Sequence, residues 1–84
     1  MQKFLKAVIM MIKVREVVEA SIKKWCAQNN YTFVCSDRVG SYIAVSITGD
    51  RCTEPFKKFL QEEQLEFTTP CMGCFGIETY IKVN

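Results

Sequence analysis

The chain has 84 residues, 49% of them hydrophobic and 24% charged, with eleven Lys or Arg against nine Asp or Glu and a net charge of +2. That length supports a single small domain over residues 1–84, and so slight a charge exerts no strong field toward nucleic acid or an anionic membrane. There is no histidine, which removes histidine bases, Ser/His and Cys/His nucleophile pairs and every histidine-ligated metal site within one chain.

From Phe4 to Cys26 the chain contains neither glycine nor proline and carries a helical period. Stepped at about 100° per residue, Phe4, Ala7, Met11, Val14, Val18, Ile22 and Trp25 fall on one stripe that should face a core, with Lys3, Lys6, Lys13 and Lys24 roughly opposite. The pattern predicts one long helix from Gln2 to Gln28, roughly 40 Å at about 1.5 Å per residue, more than a globule of this size easily covers. Leu5, Lys6, Ala7, Met10 and Met11 favour that helix, and no turn residue interrupts it. The β-branched Val8, Ile9, Ile12 and Val14 allow a second reading, a strand over Phe4 to Val14 with only Arg15 to Gln28 helical.

Leu5, Val8, Ile9 and Ile12 form a second apolar set off the main stripe. A twofold pairing of two chains would bury it, so a homodimer through these four residues is expected. No apolar run has the length of a membrane span, and Lys13, Arg15 and Glu16 fall where a signal-peptide cleavage region should be small and neutral. Five scattered cysteines, an odd number, suit a reducing compartment, so the expected location is the cytoplasm, of the protein's own cell or of a host.

Asn29-Asn30 should end the helix in turn geometry. Tyr31 to Ser36 reads as a strand, Asp37-Arg38-Val39-Gly40 as a turn, and Ser41 to Thr48 as a second strand with Ile43, Val45 and Ile47 on one face. After Gly49-Asp50-Arg51, Thr53 or Asp50 should cap a short helix that accepts Pro55 in its first turn and buries Phe56, Phe59 and Leu60. Leu65 to Thr69 is the expected third strand, Pro70 to Gly76 its connection, and Ile77 to Val83 the fourth strand with Ile77, Ile81 and Val83 inward. The predicted class is α+β. Its architecture is a two-layer αββαββ, a four-stranded, mostly antiparallel sheet with a long N-terminal helix and a short second helix on one face.

Such a sheet leaves its other face open, where Tyr42, Ser46, Thr48, Glu78, Tyr80 and Lys82 should point. Tyr42, Tyr80 and Lys82 are the candidate binding residues there, because tyrosine offers a large rigid area with a polar tip. The competing explanation is cross-strand pairing that only stabilises the sheet.

The five cysteines, Cys26, Cys35, Cys52, Cys71 and Cys74, are odd in number and scattered, which suits a reducing compartment better than a disulfide framework. In Cys71-Met72-Gly73-Cys74, two thiols three apart on a glycine turn can share one metal ion, but tetrahedral zinc needs two more ligands and the other cysteines stand singly. Redox chemistry would need the pair at the mouth of a helix after a strand, and here it lies between strands. The thiols are therefore expected to be free, without bound metal and without a cofactor, with Cys26, Cys35 and Cys52 in or near the core.

Lys6, Lys13 and Lys24 could track phosphates along one helix face, yet Glu16, Glu19, Glu54, Glu62, Glu63, Glu66 and Glu78 offset most of the positive charge. Glu62 and Glu63 are neighbours on a helix and point apart, and neither a phosphate loop nor a nucleophile elbow can be read. The expected function is a non-catalytic protein-interaction module. It would be a small inhibitor or accessory protein of the kind met in phages and mobile elements, an analogy of size and not of motif. Two alternatives stand beside it: a nucleic-acid binder using the lysine face, and a small structural-zinc protein through the Cys71/Cys74 turn.

Overall fold

The structure is a computed structural model and describes residues 14–84. Its elements are α1 (Arg15–Gln28), β1 (Thr32–Val39), β2 (Tyr42–Thr48), α2 (Thr53–Glu62), β3 (Cys71–Met72) and β4 (Ile77–Lys82). They form the expected α+β fold, with four antiparallel strands in the order β1-β2-β4-β3 and both helices contributing to one core on one face.

The first helix starts at Arg15. Val14 accepts the first helical bond from the Val18 amide, but its own backbone is extended, with φ −100° and ψ 160°. An unbroken helix from Gln2 is thus interrupted at Val14, a β-branched residue that favours extended geometry. The boundary at Arg15 is the one in the second reading, and the choice between helix and strand for residues 4–13 lies outside the described residues. Val18, Ile22 and Cys26, four apart, make the buried stripe of α1.

Both helices stop in the same way. Asn30 at φ 61° and Gln64 at φ 59° take left-handed geometry, which lets the Tyr31 amide reach back to the Cys26 carbonyl and the Leu65 amide to the Leu60 carbonyl. These bonds satisfy carbonyls that a helix end leaves without partners. At the start of α2 neither Asp50 nor Thr53 caps. Cys52 holds the cap position without a side-chain bond, and Thr53 is already helical. Pro55 sits in the first turn, where a missing N–H costs nothing.

The β1–β2 hairpin turns through Gly40 and Ser41, with Gly40 at φ 61° at the first central position. Its pairing skips Val34, a bulge between Phe33↔Ile47 and Cys35↔Ser46. β2 then pairs with β4, joining the two hairpins edge to edge. The third strand departs from expectation. Within Leu65 to Thr69 only Phe67 bridges, to Ile81, while the paired strand is Cys71–Met72, inside the segment expected to be connection. The register moves by one residue between Phe67↔Ile81 and Cys71↔Glu78. Pro70 has no amide to give the ladder, and Thr68 Oγ1 accepts the Tyr80 amide in place of a backbone carbonyl.

Ile43, Val45 and Ile47 of β2 and Ile77, Ile81 and Val83 of the last strand and its end are buried with Val18, Ile22, Phe56 and Leu60. Thr79 is buried in the same inward row, and its hydroxyl donates to the Thr68 carbonyl. The helices meet around Trp25, whose ring lies 5.0 Å from Phe59 in a stack, 5.1 Å from Tyr31 and 5.6 Å from Phe56.

Candidate functional site

Alternation along β2 and β4 puts Tyr42, Ala44, Ser46, Glu78, Tyr80 and Lys82 on the face away from both helices. Tyr42 pairs directly with Lys82, and Tyr80 lies opposite Ala44, so the three candidate residues come together on the two central strands. Tyr80 and Lys82 are exposed, Tyr42 and Glu78 are half-buried and Ser46 is buried. The Tyr42 hydroxyl donates to Glu66 Oε2 at 3.4 Å. Glu66 itself accepts the Lys82 amide, so the tyrosine ring reaches across β4 to the far edge.

On β1, Val39 pairs with Tyr42 and Asp37 with Ala44, which adds both to this face. The sequence pattern does not reveal them, because Asp37 to Gly40 reads as a turn, whereas β1 runs to Val39. The available signal was the two-residue Gly40-Ser41 connection, which lets β1 run to Val39. The face therefore carries Val39, Tyr42 and Tyr80 as apolar area, with Lys82, Asp37, Glu66 and Glu78 as charges of both signs.

The other candidates are not assembled by the described residues. Leu5, Val8, Ile9 and Ile12 lie outside them, as do Lys6 and Lys13. Lys24 is exposed on α1, while its neighbour Lys23 places Nζ 5.2 Å above the Phe33 ring. A phosphate-tracking stripe is thus represented here by Lys24 alone.

Cys71 and Cys74 are free and exposed at the β3–β4 tip. Among the described residues no three Cys, Asp or Glu side chains gather closely enough to hold a metal ion. Cys26 and Cys52 are buried and free, and Cys35 is half-buried. Burial, with the nearby Cys52, pushes the Cys26 thiol up to about 11, and burial raises Cys52 as well. Such thiols are protonated and inert at neutral pH.

A hollow of about 240 Å³ separates the hairpin tip from the start of α2, with Arg51, Thr53, Met72 and Ile77 in its wall. The described residues lining it include no carboxylate to pair with Arg51 or to act as a base. Comparison with protein-family models, with curated proteins and with solved structures found no match.

Proposed function

We propose that this chain is a non-catalytic protein-binding domain, accessory or inhibitory in kind, that engages its partner through the open face of the sheet around Val39, Tyr42, Tyr80 and Lys82. One observation carries the reading: α1 and α2 pack on the opposite face, and Tyr80 keeps 42% of its surface exposed beside Tyr42 and Lys82. Tyrosine is favoured in contact surfaces because it brings large area with little conformational freedom to lose and a hydroxyl to pair. Charges of both signs at the rim suit a folded protein partner better than a polyphosphate backbone, which calls for a uniformly basic surface. Action by steric block would need nothing more than this contact. The homodimer through Leu5, Val8, Ile9 and Ile12 belongs to the same proposal, as a contact separate from the sheet face, and so does a cytoplasmic site of action.

The test is site-specific photo-crosslinking in the producing cell, with a benzophenone amino acid in place of Tyr80 and, as a control, of the exposed Lys58 on α2. A discrete protein adduct from position 80 that is absent from position 58, and that disappears when Tyr42→Ala and Lys82→Glu are added, is the expected result. Equal adducts from both positions, or none, overturn the reading. Salt-sensitive binding of the pure protein to random duplex or single-stranded DNA or RNA, lost when Lys6, Lys13 and Lys24 become glutamine, would replace it with the nucleic-acid alternative.

A further inference from the structure

The β3–β4 hairpin tip is the part of the described chain whose chemistry the binding face does not use. Cys71 pairs with Glu78 and Met72 with Ile77, and the Gly73 amide donates to the Gly76 carbonyl at 2.6 Å, so the four residues between the strands form a closed tip. Gly73, next to Cys74, lets the Glu78 carboxyl group lie against its backbone, and a Cβ there would push that flexible side chain aside. Gly76 is at φ 136°, where a Cβ would meet the Ile47 carbonyl. Gly76 is therefore the position of the tip that requires glycine.

Its side chains face water. Cys71 and Cys74 are exposed and free, and Met72 and Phe75 are 77% and 67% exposed, so none of the four serves the core. Cys71 shares the face of its partner Glu78, whereas Met72 pairs with the inward Ile77, so the soft donors of the tip are the two exposed thiols. Glu78 lies beside them with its carboxylate, but it does not complete a group of three donors with the two cysteines. Tetrahedral zinc requires four ligands and is stable with three plus water. Two thiolates alone match an ion that accepts linear coordination by soft ligands.

We infer that Cys71 and Cys74 form a surface site for one cuprous ion, held between their two sulfurs at the hairpin tip. On binding, each thiol gives its proton to solvent, and the resulting dithiolate carries the single positive charge of the metal with no change in oxidation state. The exposed position leaves the ion open to exchange with another thiol ligand, as transfer between proteins requires, whereas a buried structural metal would be enclosed.

The experiment is an anaerobic titration of the reduced, full chain with the coloured cuprous complex of bathocuproine disulfonate. Wild-type protein is expected to withdraw one equivalent of copper, with X-ray absorption showing a two-coordinate, sulfur-only shell. Cys71→Ser and Cys74→Ser should each weaken the affinity at least a hundredfold, while Cys35→Ser should not change it. Because both thiols are exposed, the serine variants should unfold at the wild-type urea midpoint, which separates loss of a ligand from loss of the fold. The site is overturned if wild-type protein takes no copper from the chelator or if both serine variants still bind tightly. A stoichiometric zinc ion with four protein ligands would overturn it equally.

Discussion

The Arg15 guanidinium donates from Nη2 to the main-chain carbonyl of Ser36 at 3.0 Å, tying the first turn of α1 to the outermost strand of the sheet. Its Nε donates to Glu19 Oε2 at 3.3 Å, one turn further along the same helix. An outermost strand exposes backbone groups that could pair with another chain, and here the arginine occupies one of them. The Glu19 carboxyl is held below its usual value, first by the nearby Ser36 hydroxyl and then by Arg15, against the opposing effect of burial. Ser36 Oγ is buried and makes no hydrogen bond of ordinary length. Its polarity still favours the charged acid.

A lowered folded value means that Glu19 contributes stability above the unfolded value near 4.5 and loses it as pH falls through the folded one. Arg15→Ala should cost about 1 kcal/mol or less at neutral pH, since both side chains are partly solvated. It should also flatten the fall in stability on the acid side. Urea midpoints of the two proteins, compared between about pH 3 and pH 7, measure both effects. Parallel curves would show that Arg15 does not couple to Glu19.

Trp25 is the single tryptophan, and its ring lies against Tyr31, just beyond its own helix, and against Phe56 and Phe59 of α2. Trp25→Ala should destabilise by about 3–5 kcal/mol, a large share of what a domain of this size has. Trp25→Phe should cost less, on the order of 1–2 kcal/mol, because most of the stacking on Phe59 survives. Circular dichroism during urea unfolding gives both values. A cost below that of Phe59→Ala would place the centre of the helix contact elsewhere.

Cys26 and Cys52 are buried, Cys71 and Cys74 are exposed, and Cys35 lies between. The unfolded thiol loses its proton near 9.0, whereas folded Cys26 holds it to about 11. A raised value gives stability that is complete below the unfolded value and is lost as pH rises toward the folded one. At alkaline pH that loss should approach about 2–3 kcal/mol, and Cys26→Ala should remove this part of the pH dependence. At neutral pH, iodoacetamide followed by mass spectrometry should label Cys71 and Cys74 rapidly in native protein and Cys26 and Cys52 only after unfolding. Fast native labelling of Cys26 would contradict its burial.

The proposed homodimer is checked by sedimentation at micromolar concentration. The wild-type chain should sediment as a dimer and Ile9→Asp as a monomer, because a buried unpaired carboxylate at the pairing patch opposes association. An unchanged mass in the variant, or a monomeric wild type, would remove the patch from the dimer reading.

Several elements were readable from the sequence because their causes are local. Residues two apart on a strand share a face by backbone geometry alone, so Ile43, Val45, Ile47, Ile77 and Ile81 announced the inward row, and all are buried. Residues four apart on a helix share a face likewise, which marked Val18 and Ile22. The left-handed turn at Asn30 followed from a side chain that tolerates it. The open face with Tyr42, Tyr80 and Lys82 is the complement of that same alternation.

What the tertiary structure decided depends on contacts between distant segments. Strand pairing for residues 67–72 is set by the partner: Phe67 bridges Ile81, Thr68 supplies its hydroxyl to Tyr80, and Cys71 resumes pairing one residue out of step. No property of Leu65 to Thr69 alone specifies that shift, since a slip of one residue costs or gains energy only through the neighbour it meets. Left-handed Arg51 and Gln64 likewise carry no local signal as strong as glycine or asparagine. Arg51 directly precedes the buried Cys52 at the start of α2, and at its end the Gln64 amide bonds the Gln61 carbonyl and the Leu65 amide the Leu60 carbonyl. Composition and periodicity determined the class and the two faces of the sheet. The edge register, the Trp25 cluster and the standing of Cys71 and Cys74 as a pair, with no group of three such donors among the described residues, came from how the two hairpins and two helices close on one another.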